Sequence, residues 1–423
     1  MILPGPREWL FSAKAFAAAM LAFWIACALD LSRPTWAIFT VYVLMQPISG
    51  AVRSKAAYRM IGTIGGAVLA LLLASWLANR PLALFLALGF VAIAGYFVAL
   101  MDRMPRSYGF LMAGITAAVI GMPDTFDPLT IFDTAMIRTE EVLLGIVCAV
   151  AVDSAIAPHP AGEALNARVA AWLADARTYL LDALQAGAPS HDTADFARLA
   201  KLAADASHLD ALASHVGYDS VPVRPNKRVV RLLHTRMLLM IRLMFAARDW
   251  ATAVRANERE TEPVAHAMAA LRDWFAATPA ATPAQTAAAA AAINRLEAEP
   301  GTAADPAATL IAALGEMLRN LMSASSDCLA LQRAVAQGSA LPDALRRAAR
   351  RETLSIPYRD PLRTLLVVLP SMVGFLLVVG YWSATAWDQG PTAALMALVA
   401  GAFVSSAEQP AERTLLVAVV VAV

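Results

Sequence analysis

Between Asp30 and Gly66 the chain runs DLSRPTWAIFTVYVLMQPISGAVRSKAAYRMIGTIGG, and this stretch limits what the rest can fold into. A charged segment ends at Pro34, which suits the first turn of a helix because its missing N–H would be unpaired there anyway. The apolar run from Trp36 to Ser49 follows, long enough with its flanks to cross a hydrocarbon core of about 30 Å. Arg53, Lys55 and Arg59 then mark a short basic loop, and a second apolar run opens at Gly62. Lys and Arg gathered between two spans mark the cytoplasmic side. The chain enters a membrane, turns on cations and goes back.

Composition agrees. Hydrophobic residues make up 59% of the chain and charged residues 16%, against about 25% charged in an average soluble domain. Mean hydropathy is +0.57. A net charge of +1 offers no ground for a nucleic-acid partner. Cys27, Cys148 and Cys328 are too scattered for a disulfide or metal framework and read as small apolar residues. Arg7 and Lys14 precede an apolar run, but no small-residue cleavage site leads from it into a soluble domain, so the first span is expected to stay.

Six spans are expected before residue 160, over 14–30, 34–50, 60–78, 82–100, 107–122 and 135–157. The loops at 51–59 and 101–106 carry Arg53, Lys55, Arg59, Arg103 and Arg106, while the opposite loops hold only Arg33 and Arg80 near their ends, with the acidic Asp124, Asp127 and Asp133. That asymmetry predicts a cytoplasmic N-terminus. From 158 to 360 charges become frequent and no run is long enough to span. Val230, Leu233, Met237, Met240 and Met244 follow helical spacing, and Thr-Pro-Ala repeats at 278–292 read as a linker leading into an Ala-rich helix. At 361 the membrane pattern resumes. Asp388-Gln-Gly-Pro391-Thr392 echoes Asp30-Leu-Ser-Arg-Pro34-Thr35, and Arg413 precedes an apolar run as Arg59 does, which makes an internal repeat. The expected fold is thus an all-α membrane protein. A six-span bundle fills 1–157, a cytoplasmic helical domain 158–360, and the start of a second half, a parallel repeat of the first, 361–423. The last run, from Thr414, has only about ten residues and cannot cross a bilayer as a helix, so either the chain is a fragment of a longer protein, the favoured expectation, or its C-terminus depends on a partner.

Pro34-Thr35-Trp36-Ala37, Gln46-Pro47, Gly50, the basic stretch through Arg59, Gly62-Thr63 and Gly65-Gly66 stand in the order of a known signature. In this the chain resembles the fusaric acid resistance family, which includes the aromatic acid exporters, or p-hydroxybenzoic acid efflux pump subunits. The resemblance implies two membrane halves separated by a helical domain, in a bacterial inner membrane. It also implies export of small aromatic carboxylic acids, with a periplasmic membrane-fusion subunit and an outer-membrane channel as partners. No cofactor is implied.

Ionisable residues within spans are costly and mark pathways or helix ties. Arg138-Thr-Glu140-Glu141 with Gly145 resembles the family's pattern in the sixth span, and Asp153 follows. Arg138 and Glu141 are three apart and share a helix face, whereas Glu140 points elsewhere. They read either as an anion-binding cation beside a protonatable carboxylate or as an ion pair tying two helices. In the second span Thr35, Tyr42, Gln46 and Ser49 form a polar stripe, and Pro47 frees a backbone carbonyl. Trp36 and Phe39 offer rings for stacking, or simply anchor the helix at the interface. Gly62 and Gly66 form a GxxxG helix-packing pair. Arg224, Lys227, Arg228, Arg231, Arg236 and Arg242 make a basic helix, either a solvated face, a contact with anionic lipid headgroups or an attractor of anionic substrate. His208 and His215 near Asp205 and Asp210 have nothing to make them converge as metal ligands.

No GxxxxGK[ST], G-x-S-x-G or H-E-x-x-H occurs, so neither an ATP-driven pump nor an enzyme is indicated. Three functions stay open: a proton-coupled secondary exporter, a passive organic-anion channel, and a membrane scaffold whose helical domain does the binding. The lipid bilayer is a partner in each, and a homo-oligomer is compatible with all three.

Overall fold

A computed structural model describes residues 5–102, 104–185, 193–218, 227–256, 261–278, 281–298, 306–351 and 360–406. Arg103, Pro222, Arg224, Pro225, Pro279, Pro300, Arg413 and the run from Thr414 lie outside the described residues. The protein is an all-α membrane protein, and every regular element among the described residues is a helix. It divides into two compact units, Met1–His159 with Ser355–Val423, and Pro160–Leu354.

The first unit holds α1 (Pro6–Ala28), α2 (Thr35–Leu44), α3 (Ser49–Leu77), α4 (Pro81–Met101), α5 (Ser107–Gly121) and α6 (Ile131–Ala155), with α14 (Pro361–Thr385) and α15 (Gly390–Ser406). Proline opens α1, α4 and α14, where a missing N–H costs nothing. The Glu8 carboxylate accepts the Gly5 N–H at the start of α1, and the Asp360 carboxylate accepts the Arg363 N–H at the start of α14.

Among the described residues α1, α3, α4 and α14 are long and apolar enough to cross a membrane. The expected second span departs from this. α2 ends at Leu44, because Met45 takes an extended conformation ahead of Gln46-Pro47, and ten residues reach only about 15 Å. Pro47 therefore lies beyond the helix rather than inside it. The basic stretch 51–59, expected as a loop, is the first third of α3, which starts at Ser49 rather than near 60. α5 is likewise short, and α6 carries five charged residues from Asp133 to Asp153.

Small residues let these helices close up, the usual device where lipid supplies no hydrophobic drive. A Cβ on Gly62 would stand 2.6 Å from the Gly109 carbonyl oxygen, and one on Gly66 2.5 Å from that of Ala113, so α3 lies directly on α5. Gly145 brings α6 equally close to Ala37 and Thr40 of α2. Phe375 of α14 fills the space over Gly89 and stacks on Phe85 of α4 at 6.0 Å, while Trp382 tilts against Phe85 at 5.1 Å. The turns after α1 and α14 each contain a left-handed residue, Asp30 at φ 53° and Ala386 at φ 52°, a backbone likeness between the segments that the sequence pairs as a repeat.

The second unit holds α7 (Ala161–Ala183), α8 (Thr193–Val216), α9 (Lys227–Ala256), α10 (Glu262–Ala277), α11 (Pro283–Ala298), α12 (Pro306–Gln337) and α13 (Asp343–Arg351). Val230, Leu233, Met237, Met240 and Met244 of α9 are all buried, the stripe its spacing predicts. The Thr-Pro-Ala linker is brief: Thr282 and Gln285 exchange hydrogen bonds as a capping box, and the Ala-rich helix starts at Pro283. Arg177 donates to the Phe275 and Ala276 carbonyls at the end of α10. Arg248 and Asp195 form a buried ion pair of 2.6 Å.

Candidate functional site

The sequence around α2 sets the site. The chain leaves α1 through the left-handed Asp30, enters α2 after Pro34, and runs beside α6 in the same direction. Arg33 and Trp36 meet α6 at Glu141 and Arg138, and Ala37 and Thr40 cross it at Gly145. After the break at Met45–Ile48 it doubles back. The Ser49 N–H reaches the His159 carbonyl at 2.9 Å, and Arg53 donates to Ser154 at 3.1 Å. Two turns further along α3, Arg59 returns to the level of Thr40.

Three groups converge there. Glu141 is fully buried; its Oε1 accepts the Arg33 backbone N–H at 2.5 Å, and its Oε2 has no hydrogen-bond partner among the described residues. The Arg138 guanidinium carbon lies 3.6 Å from the centroid of the Trp36 ring, whose edge-to-face neighbour is Phe39 at 5.8 Å. Arg59 is 7% exposed. It donates to the Tyr108 hydroxyl at 3.1 Å, the Met112 sulfur at 3.1 Å and the Thr40 hydroxyl at 3.4 Å, and its Nε has no partner. Arg33, Arg59 and Glu141 all lie within electrostatic reach of Arg138. Arg138 and Glu141 nonetheless form no ion pair within 4 Å, since Trp36 takes the guanidinium and the Arg33 amide takes the carboxylate.

The other expected residues fall around this centre. Glu140 is exposed. Thr35 and Tyr42 face outward, Gln46 folds its amide onto the neighbouring Met45 carbonyl at 2.9 Å, and Ser49 is buried in α3, so the break in α2 divides the stripe. Lys55 stands 5.8 Å over the Tyr108 ring. Asp153 pairs with Lys14 of α1 at 2.6 Å.

The sequence alone puts Arg59 in a basic cytoplasmic loop and Lys14 merely ahead of the first span, and it singles out none of Thr40, Tyr108 and Met112. One signal was available for Arg59. It precedes Gly62 and Gly66 by three and seven residues, so it shares the face that those glycines press onto α5.

The arrangement has a definite chemistry. Arg59 and Arg138 are each held by neutral groups, and among the described residues neither has a carboxylate within 4 Å. A guanidinium in apolar surroundings gains most from a planar anion that it can grip with two N–H groups. Trp36 and Tyr108 add ring faces and a hydroxyl beside those cations. Glu141 supplies a buried group able to change protonation state.

The signature described as the fusaric acid resistance protein family matches residues 8–423. The p-hydroxybenzoic acid efflux pump subunit AaeB of Edwardsiella ictaluri (strain 93-146) is 32% identical over 168 residues, which are 38% of this chain and 26% of that one. The protein of the same name from Pectobacterium atrosepticum (strain SCRI 1043) is 26% identical over 240 residues, 55% of this chain and 36% of its own. The match thus spans about a quarter to a third of the length of these curated relatives.

Proposed function

This chain belongs to the fusaric acid resistance protein family, and from that premise we propose that it is a membrane efflux transporter that binds a small aromatic carboxylate between α2, α3, α5 and α6. The relatives' names, which specify p-hydroxybenzoic acid efflux, support the substrate class. One observation carries the site: Arg59 is a buried cation whose hydrogen-bond partners are a hydroxyl pair and a thioether, not an anion. A buried charge without its counter-charge is heavily penalised, so the arriving carboxylate supplies what the fold withholds. Arg138, over Trp36, is the second cation, and the substrate ring stacks beside it.

In this reading Glu141 couples export to the proton gradient. With Oε1 held by the Arg33 amide and Oε2 unpartnered, it takes a proton when the substrate leaves and releases it in the next cycle. The N-terminus faces the cytoplasm of a bacterial inner membrane. A periplasmic membrane-fusion subunit and an outer-membrane channel complete the route, as the pump reading requires. The same two cations would serve a passive anion channel; the buried, half-satisfied carboxylate favours the coupled exporter.

The test is transport of p-hydroxybenzoate into inverted membrane vesicles containing the full chain. Arg59→Gln and Arg138→Gln should each lower transport at least tenfold with unchanged protein level, and Arg138→Lys should keep part of it. Glu141→Gln should bind substrate but no longer respond to an imposed pH gradient. Unchanged transport in both arginine variants would overturn the site. Unchanged pH response in Glu141→Gln, with flux following membrane potential, would replace the exporter by the channel.

A further inference from the structure

The segment Asp343–Arg351 reads DALRRAARR, with Leu345 and Ala349 one turn apart and arginines filling the other faces. Those two apolar residues are buried, and the helix they seat, α13, packs on α9. A groove of 580 Å³ opens between the two helices, large enough for a small-molecule headgroup. It is lined by Leu232, Ala344 and Ala348 together with Thr235, Arg236, Arg347 and Arg351. The nearby carboxylates are already engaged: Asp343 pairs with Arg346 at 3.2 Å and Asp327 with Arg236 at 3.3 Å. Among the described residues Arg347 and Arg351 have no carboxylate within 4 Å. Arg228 and Arg231 precede Leu232 on the same helix.

Chain connectivity gives this groove a neighbourhood. Arg351 precedes Asp360, the N-cap of the membrane-spanning α14, by nine residues. Four arginines thus stand in the sequence shortly ahead of a span, the pattern of a juxtamembrane basic cluster. Basic clusters beside a span attract anionic lipid headgroups, and a groove lined by both arginines and apolar side chains suits an amphiphile better than a bare anion.

We infer that the groove between α9 and α13 binds the phosphate headgroup of an anionic phospholipid, with Arg347 and Arg351 as its principal contacts. The site is separate from the substrate site and does not depend on the transport reading. The experiment uses the full chain purified in an uncharged detergent. It is incubated with phosphatidylglycerol or with phosphatidylcholine of the same acyl chains, and retained lipid is counted by native mass spectrometry. Wild-type protein should retain phosphatidylglycerol at least fivefold over phosphatidylcholine. Arg347→Gln/Arg351→Gln should abolish that preference without changing the Tm, and Arg347→Lys/Arg351→Lys should keep most of it. Arg272→Gln/Arg295→Gln, with the same charge loss on α10 and α11, should leave it intact. Equal loss in that control, or full retention in the Gln pair, would overturn the site. Displacement of phosphatidylglycerol by millimolar inorganic phosphate would assign the groove to free phosphate and overturn the lipid.

Discussion

Lys14 and Asp153 close an ion pair of 2.6 Å between α1 and α6, with both side chains almost wholly removed from solvent. The second carboxylate oxygen of Asp153 has no partner of its own. Removing one member of such a pair strands a buried charge, at a cost of about 3–5 kcal/mol, whereas replacing both by apolar residues is often neutral. Lys14→Met should therefore lower stability by roughly that amount, and Lys14→Met/Asp153→Leu should recover most of it. Thermal unfolding in detergent checks this; a harmless single variant would mean that water reaches the pair.

Gly65 and Gly66 are adjacent, yet their substitutions should differ. A Cβ on Gly66 would stand 2.5 Å from the Ala113 carbonyl and 2.8 Å from the Thr116 Cβ, whereas nothing lies within 4 Å of one on Gly65. Gly66→Val should cost about 1–3 kcal/mol or more by forcing α3 from α5. Gly65→Val should be nearly silent in the same unfolding measurement.

The divide between what could be read in the residues and what could not follows from what periodicity measures. Apolar run length finds α1, α4 and α14 because spanning is a matter of summed hydropathy. Helical spacing finds the buried stripe of α9 because one amphipathic face meets one partner. The end of α2 escaped because hydropathy is blind to backbone conformation, and Met45 turns extended while the apolar run continues. Arg59 escaped for another reason. A cation near a turn is ordinarily solvated, and its burial depends on Thr40 and Tyr108, 19 and 49 residues away. Lys14 finds Asp153 across 139 residues, a distance over which no local pattern speaks.

Sidedness is open to labelling, with reporters chosen by exposure. Ser54 and Thr125 are fully buried and would resist any reagent. Leu129 is 88% exposed and Met104 48%, on opposite ends of the bundle's connections. With Cys27, Cys148 and Cys328 replaced, Leu129→Cys should react with a membrane-impermeant maleimide in intact cells, and Met104→Cys only after permeabilisation. The reverse result would invert the orientation drawn from Lys and Arg placement.

Cys328 should be chemically silent. Burial, with the neighbouring Asp327 charge adding to it, pushes its thiol up to about 12, and Arg236 offsets this only in part. Because the thiolate is the reactive form, iodoacetamide should leave Cys328 unlabelled in the folded full chain at pH 7 to 9, while the exposed Cys27 reacts. Labelling should appear as the pH nears 12 or on denaturation. Peptide mass spectrometry reads both sites in one sample, and early labelling of Cys328 would mean that α12 opens locally.

The brevity of α2 leaves the residues after it to complete the crossing. Its outward side carries Phe39 and Tyr42, each about half exposed, over a reach of about 15 Å. A hydrocarbon core of about 30 Å is twice that reach. The nonhelical stretch from Met45 to Ile48 makes up much of the difference at about 3.3 Å per residue, and its Met45 and Ile48 carbonyls accept the Gln46 amide and the Ala51 and Val52 N–H groups, so they are satisfied inside the protein. A short helix with a nonhelical tail thus lets one segment cross while its own neighbours cover the opened backbone.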